Sequence, residues 1–262
     1  MKNTRTLVAI ASSVGLLMFQ AGGAIAQQNP SPGAPAAQSP PASEVEAEAV
    51  QALKRMGAYL GTLATFQLTA DTSLDVVTVD DQRLQLDAVT TYKVRRPDGF
   101  VITMKSDIKN RTFIYDGKTF TLYAPELKYY ATVDAPPTII ATLNKLYDTF
   151  GISLPLEDLF HWNSGENREA KLISGFKVGP ATIDGVETDH YAFREEGMDW
   201  QIWIQRGDKP LPKKLVIIDR TDETAPTYVA RLNWVENPRL TPQDFAFAPA
   251  SDARSIKMMA AR

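Results

Sequence analysis

Cysteine is absent from this chain of 262 residues, and histidine occurs only at His161 and His190. Without cysteine the protein has no disulfide, no thiol nucleophile and no thiolate metal ligand, so it must fold by burial alone. A basic block is also lacking, because acidic and basic residues are interspersed and the formal net charge is -3. This distribution argues against nucleic-acid binding. After the N-terminal segment, no apolar run is long enough to span a bilayer.

The N-terminal segment has the three parts of a secretory signal peptide. Lys2 and Arg5 give a cationic start, residues 7–19 are apolar, and the small residues at 24–26 supply a cleavage site before Gln27. Because no cysteine follows that site, a lipid anchor has no attachment point. We therefore predict that residues 1–26 are removed and that the mature protein is periplasmic and not lipidated.

The segment after the cleavage site differs in composition from the rest of the chain. Residues 27–42 are rich in Pro, Ala, Ser and Gln and contain little that could be buried. Such a composition predicts a disordered tether. The remaining residues, 43–262, suffice for one sizeable core and are expected to form a single domain.

A helical apolar stripe opens this domain. Ser43 and Glu46 have the spacing of a capping box, in which each side chain bonds an amide of the first helical turn. Apolar residues then recur every three or four positions, which predicts an amphipathic helix from about Ser43 to Thr62. The stripe consists of Val45, Ala49, Leu53, Met56, Leu60 and Leu63.

From Phe66 onward the apolar period changes to two, which predicts half-buried antiparallel strands. Asp98-Gly99, Asp116-Gly117 and Asp184-Gly185 are dipeptides typical of tight turns. The predicted strand segments are 66–76, 84–94, 100–104, the hairpin 112–123, 128–133, 172–178, 188–194, 198–206, 213–219 and 228–236.

A second helical pattern interrupts the strands in the middle of the chain. Asp134 can cap this helix, Pro136 and Pro137 suit its first turn, and Gly151 can end it. A short apolar segment, residues 154–162, follows. The apolar face of the helix is formed by Ile139, Ile140, Leu143, Leu146, Tyr147 and Phe150.

These elements predict a mainly β (α+β) domain. A single antiparallel sheet of this length must curl or split. If it curls, one face is concave, and helices inserted in mid-chain are placed to cover that face and not the other. We therefore expect an open, curled antiparallel β half-barrel with a leading helix and with mid-chain helices over its concave face.

Three short motifs follow one another in a recognisable order. Residues 115–125 (YDGKTFTLYAP) combine an Asp-Gly turn, an aromatic strand and a proline; residues 203–215 (WIQRGDKPLPKKL) combine a hairpin with Leu-Pro and basic residues; residues 245–249 read FAFAP. With the leading and mid-chain helices, this order resembles the half-barrel superfamily of the lipoprotein carrier LolA, its receptor LolB and mycobacterial lipid-handling lipoproteins. Within that superfamily it resembles a family of predicted periplasmic proteins, over about Ser43 to Met258.

The resemblance implies an open barrel whose apolar concave face, covered by helices, holds acyl chains. It also implies a lipid or a lipidated protein as partner. LolB-like receptors and the mycobacterial members are lipidated, however, and this chain has no cysteine, which counts against a receptor role. The arginine that latches the lid of the carrier has three candidates by position, Arg95, Arg96 and Arg111, and the sequence does not distinguish among them.

No catalytic or metal-binding constellation is apparent. Asn163-Ser164-Gly165 lacks the flanking glycine of a nucleophile elbow. Glu187 and Asp189 could share one face of a strand, but His190 would point to the other, so the three are a poor metal site. We therefore expect no enzyme activity, no metal and no cofactor.

The aromatic and apolar side chains in the segment 198–206 allow two interpretations, a structural one and a functional one. Met198, Trp200, Ile202 and Ile204 share one strand face, as core or as the wall of a ligand site, while Trp203 lies on the other, packed beneath a loop or exposed for recognition. The residues that we predict to line an apolar cavity are Phe66, Leu68, Tyr92, Phe100, Ile102, Phe113, Ile139, Leu143, Tyr147, Trp200 and Ile202.

The sequence thus leaves three functions open. The favoured one is a carrier or binding protein for a lipid or an acylated ligand. The alternative is a sensor or interaction module that binds an envelope partner protein. A hydrolase is third, because nucleophile motifs are lacking and histidine is scarce.

Overall fold

The structure, a computed structural model, describes residues 45–161 and 168–261. The predicted signal peptide, tether and capping residue Ser43, together with Trp162 and the Asn163-Ser164-Gly165 segment, lie outside the described residues. The elements are α1 (Ala47–Thr62), β1 (Thr65–Val77), β2 (Arg83–Arg95), β3 (Gly99–Ser106), β4 (Asn110–Tyr115), β5 (Thr119–Ala124), β6 (Tyr129–Asp134), α2 (Ile139–Phe150), α3 (Asp158–His161), β7 (Ser174–Ile183), β8 (Val186–Glu195), β9 (Met198–Gln205), β10 (Pro212–Asp219), β11 (Thr227–Glu236) and β12 (Arg254–Ser255).

The strands form one twelve-stranded sheet in the order β12-β6-β5-β4-β3-β2-β1-β11-β10-β9-β8-β7. Neighbouring strands are antiparallel except β12, which pairs in parallel with β6. Two meanders, β1–β6 and β7–β11, join where β1 pairs with β11. The predicted open, curled antiparallel half-barrel is therefore confirmed, including the Asp116-Gly117 turn between the adjacent strands β4 and β5.

Both faces of the sheet are covered in part, but by different elements. Alternate residues such as Phe66, Leu68 and Ala70 are buried on the face that we term the inner face, where they share one core with the buried sides of α1, α2 and α3. The other, outer face carries a 3-10 turn, Pro242–Phe245, whose Phe245 packs under the Arg95 guanidinium. The prediction that helices lie on one face thus holds for the α-helices, and the short 3-10 turn departs from it.

The first helix begins later than the sequence predicts, at Ala47 and not at Ser43. Glu46 occupies the N-cap position without a side-chain cap bond. Its carboxylate instead accepts a hydrogen bond from the Lys177 backbone at 3.1 Å, and its own amide donates to the Gly175 carbonyl at 2.8 Å. A tertiary contact with the edge strand β7 therefore fixes the start of α1.

The second helix is capped by Thr138 and not by Asp134, which is the last residue of β6. The Thr138 hydroxyl accepts from the Ala141 backbone at 3.2 Å. Pro136 and Pro137 precede the helix, because they keep the approaching chain extended and leave the cap position to the next residue. Gly151 ends α2 in the left-handed conformation at φ 63°, as predicted.

The C-terminal residues 246–261, which we term the strap, run from the outer face around one edge of the sheet. The Phe247 ring packs against Tyr130 at 5.1 Å between ring centroids. Further on, β12 pairs with β6 and covers that edge. The strap then reaches α2, where the Ala261 amide donates to the Thr149 carbonyl at 3.0 Å.

Candidate functional site

The chain between β6 and β7 has to cross the sheet. β6 lies next to one edge of the strand order and β7 forms the opposite edge. The connection contains α2 and α3, and the buried side chains of both helices belong to the inner-face core. We term residues 139–161 the lid, because they cover the inner face while contributing no strand to the sheet.

The lid presents an apolar surface to the sheet. Its buried side chains include Phe160, which meets Phe66 of β1 at 6.2 Å between ring centroids. Six further lid residues are buried in the same core: Ile139, Leu143, Leu146, Leu154, Leu156 and Leu159. The 154–160 stretch was not among the predicted wall residues, although its apolar residues were visible in the sequence.

Ten of the eleven residues predicted to line a cavity lie in this one core. They are at most 8% exposed, and Phe100 and Ile102 are not exposed at all. In this conformation Phe100 and Ile102 are therefore enclosed by other protein atoms on all sides. The ten are Phe66, Leu68, Tyr92, Phe100, Ile102, Phe113, Ile139, Leu143, Trp200 and Ile202.

Tyr147 is the exception among the predicted wall residues. It is only half-buried, whereas Leu146, one position earlier on α2, is 1% exposed and belongs to the core. The apolar stripe of the sequence contained both residues. The orientation of α2 on the sheet, which the sequence does not encode locally, decides between them.

Two tyrosine hydroxyls of the sheet donate to proline carbonyls, one inside the lid and one in the segment that precedes it. Tyr92 of β2 donates to the Pro155 carbonyl, between α2 and α3, at 3.1 Å. Tyr115 of β4 donates to the Pro136 carbonyl, just before α2, at 2.5 Å. Burial raises the pKa of both phenols, that of Tyr92 well above its usual value. Both hydroxyls therefore remain protonated donors at neutral pH.

The structure distinguishes the three candidate lid arginines. Arg95 pairs with Asp98 at 3.0 Å and stacks on Phe245 at the outer face. Arg111 donates to the Asn110 carbonyl at 2.6 Å. Arg96 alone of the three touches the lid: its guanidinium lies 5.8 Å from the ring centroid of Phe160.

Residues considered for catalysis or metal binding have structural partners. As predicted, Asp189 and His190 point to different faces of β8. Asp189 pairs with Ile204 of β9, and His190 pairs with Trp203. Asp189 accepts from Arg206 at 2.6 Å. His190 hydrogen-bonds Gln201 at 3.0 Å, and burial lowers its pKa. Within residues 45–161 and 168–261 no group of three or more acidic, His or Cys side chains is placed to hold a metal.

Trp203 is not an exposed recognition residue, which corrects one interpretation of the sequence. It is 8% exposed. On the outer face its ring stacks on that of His190, with 3.9 Å between the ring centroids. The ammonium of Lys214, on the neighbouring strand β10, lies 4.5 Å from the centroid of the Trp203 ring. His190 and Lys214, on the two neighbouring strands, therefore flank its ring.

A groove of about 670 Å³ on the outer face is unlike the lid region in character. Charged side chains of both signs line it, including Asp71, Asp87, Lys105 and Arg231. These charges distinguish the groove from the inner-face core, which is formed by hydrophobic side chains. None of its lining residues belongs to the inner-face core.

Comparisons with known proteins show which solved structures the chain is similar to. Similar solved structures include an uncharacterized conserved protein from Thermus thermophilus (10% identity, covering 80% of this chain and 99% of that one, TM-score 0.46). LprF from Mycobacterium bovis is 14% identical over 80% of this chain and 99% of its own, with a TM-score of 0.42. A LolA superfamily protein from Nitrosomonas europaea is 8% identical over 76% and 97%, with a TM-score of 0.37.

No curated protein sequence shows significant similarity to the chain. Among the described residues, none of the helices combines the length and apolar character needed to cross a membrane. A family model does match, over residues 49–259, close to the range of the resemblance found in the sequence. The chain therefore belongs to the family described as "Predicted periplasmic protein (DUF2092)".

Proposed function

We propose that this protein is a periplasmic carrier or binding protein for a lipid or an acylated ligand, which it takes up between the inner face of the sheet and the lid. One observation carries the proposal: the connection from β6 to β7 crosses the inner face and buries apolar side chains of both its helices there. An acyl chain that replaces the lid side chains would keep the same apolar surface away from water.

The lid can separate from the sheet without breaking the strand ladders. Every strand of the meanders is paired with strands, and the lid contributes none of these pairs. Opening would break hydrogen bonds such as that of Tyr92 with Pro155 and would expose apolar side chains. Because each methylene group of a bound chain recovers about 0.8 kcal/mol by burial, a long acyl chain can offset that cost.

Uptake on this proposal is a lid movement and not the filling of an existing void. The predicted wall residues Phe100 and Ile102 are completely buried in the present conformation. A ligand chain can reach them only after the lid has moved away. On this proposal, the conformation with the lid on the sheet is the closed state of a two-state equilibrium.

Binding of a long-chain fluorescent fatty acid tests the proposal. Ile202→Asp would place a charge on the inner face and should abolish binding, whereas Val89→Asp, on the outer face where Val89 is 43% exposed, should leave it unchanged. Leu143→Asp in the lid is a second variant, since the sheet pairs without the lid. Circular dichroism must first show that each variant is folded.

Two results would contradict the proposal. The first is a folded Ile202→Asp or Leu143→Asp protein that keeps the full affinity for the probe. The second is a wild-type protein that binds no acyl probe, which would favour the alternative of a module that binds a partner protein.

A further inference from the structure

Arg96 lies at the junction of sheet and lid, and within the described part of the chain it is a cation without a counter-ion. Its guanidinium carbon lies 5.9 Å from the ring centroid of Phe66 and 5.8 Å from that of Phe160. Both distances are at the outer limit of about 6 Å for a cation–π contact. Its Nε is enclosed and has no hydrogen-bond partner among the described residues. No carboxylate in residues 45–161 and 168–261 forms an ion pair with it.

A partly buried charge of this kind, with its Nε enclosed, is unfavourable unless something pairs with it. Burial lowers the pKa of Arg96, and no charged neighbour contributes to that change. An arginine nevertheless stays protonated at neutral pH. The adjacent Arg95 provides the contrast, since its guanidinium is paired with Asp98 at 3.0 Å.

The backbone holds Arg96 firmly at this junction. Its amide donates to the Ala64 carbonyl at 2.8 Å, which fixes the end of β2 beside the start of β1. The carbonyl of the next residue, Pro97, accepts from the amide of Ile139, the first residue of α2. The backbone therefore adjoins the base of the lid, while the guanidinium lies near Phe66 of the sheet and Phe160 near the far end of the lid.

We propose that Arg96 binds the anionic head group of the acyl ligand, so that the ligand class is an anionic amphiphile with a carboxylate or phosphate head. This inference rests on the proposed function. The planar fork of a guanidinium matches carboxylate and phosphate oxygens in pairs. With the head group at Arg96, the chain would extend over Phe66 into the apolar core beneath the lid. An uncharged amphiphile would leave the guanidinium unpaired.

The test compares three ligands with the same chain: laurate, dodecyl phosphate and dodecanol. The wild-type protein should bind at least one anionic ligand about tenfold or more tightly than dodecanol. Arg96→Met should remove this preference and leave the affinity for dodecanol unchanged, and Arg96→Lys should restore part of it. The matched control is Arg95→Met, which should behave as the wild type. The head group that loses more affinity in Arg96→Met identifies the source of the anion.

The measured affinities distinguish a failure of the head-group role from a failure of the proposed acyl-binding function. If all three ligands bind equally well to the wild type, or if Arg96→Met weakens all three by the same factor, the head-group role is wrong while the acyl site stands. If none of the three binds, the proposed function itself fails. Should Arg96→Met not fold, the loss of preference is measured in Arg96→Lys, where a point charge replaces the fork.

Discussion

Replacing Tyr92 by Phe removes one hydroxyl group between the sheet and the lid. That hydroxyl donates to the Pro155 carbonyl at 3.1 Å, and the Tyr92 side chain is 2% exposed. The ring, which packs in the inner-face core, stays in place in the variant. The substitution therefore acts on the closed state, where the hydroxyl is bonded to the lid.

The size of the effect follows from the fate of the Pro155 carbonyl. Removing a partly buried hydrogen bond of this kind costs about 0.5–1.5 kcal/mol, whereas water satisfies the same carbonyl in the open state. Because about 1.4 kcal/mol is a factor of ten, the open population should rise about twofold to twelvefold. If ligand enters only the open state, the observed association rate rises by the same factor while that state stays the minor one.

Stopped-flow measurement of the association rate of a fluorescent fatty acid is the appropriate assay. Tyr115→Phe is the matched control, since it also removes a hydrogen bond from a tyrosine to a proline carbonyl. Its acceptor, Pro136, precedes α2 and also accepts from the Thr142 hydroxyl at 3.1 Å. This control should lower the free energy of unfolding without accelerating uptake.

One contrary result is a Tyr92→Phe protein that is folded, less stable than the wild type and yet unchanged in its association rate. A second is a Tyr115→Phe protein that accelerates uptake as much as Tyr92→Phe does. In the first case ligand entry does not require the lid to leave Pro155. In the second case general destabilisation, and not this contact, controls entry.

Two further predictions concern the C-terminal region. Hydrogen bonds from the Thr241 backbone and the Lys93 ammonium lower the pKa of Asp244 from 3.8 to about 2, so its carboxylate stabilises the fold above about pH 4 and this contribution is lost as the pH falls to about 2. Urea denaturation of Asp244→Asn should show a flatter pH dependence in that window. A Cβ on Gly151 would lie 3.3 Å from that of Ala261, slightly closer than the usual distance in a disulfide, and Gly151 has a left-handed φ of 63°. A cysteine pair at these positions should therefore form a strained disulfide that is easily reduced and that fixes α2 to the strap while it is oxidised. Oxidation should slow acyl uptake, and reduction should restore it.

Each of these has its own contrary result. An unchanged slope in Asp244→Asn would mean that this carboxylate does not contribute to acid stability. Equal uptake rates of the oxidised and reduced cysteine pair would mean that the end of α2 does not move when ligand enters. The wild-type chain contains no cysteine, so no other thiol competes for the bond.

Local sequence patterns determined the elements because each pattern reports a local geometry. Alternation at Phe66, Leu68 and Ala70 predicted β1 and its buried face, and the structure confirms both. Asp184-Gly185 predicted the turn between β7 and β8, where both residues have positive φ. Period and turn chemistry depend on neighbouring residues, so they can be inferred without knowledge of distant contacts.

Helix starts were less predictable, because several residues compete for one cap. Asp134 and Thr138 are both good N-cap residues. The structure selects Thr138, since Asp134 ends β6, where its carbonyl accepts from the Lys145 ammonium at 2.7 Å. Likewise the Glu46 carboxylate accepts a hydrogen bond from the backbone of the edge strand β7 and does not cap its own helix. Both choices depend on where a strand from elsewhere in the chain lies.

The sequence by itself determined that this protein is a mainly β chain without cysteine chemistry and with a helical insertion in the middle, and it predicts a signal peptide at residues 1–26. Only the tertiary structure decided that the insertion crosses the inner face from one edge of the sheet to the other, because strand order is a long-range property. It also separated Arg96 from Arg95, which are adjacent in the sequence and equal in charge. Arg95 is paired with Asp98 beside the outer face. Arg96 lies against the lid and has no ion-pair partner among the described residues. The two side chains differ because β2 ends at Arg95 and the chain turns from Arg96 onward.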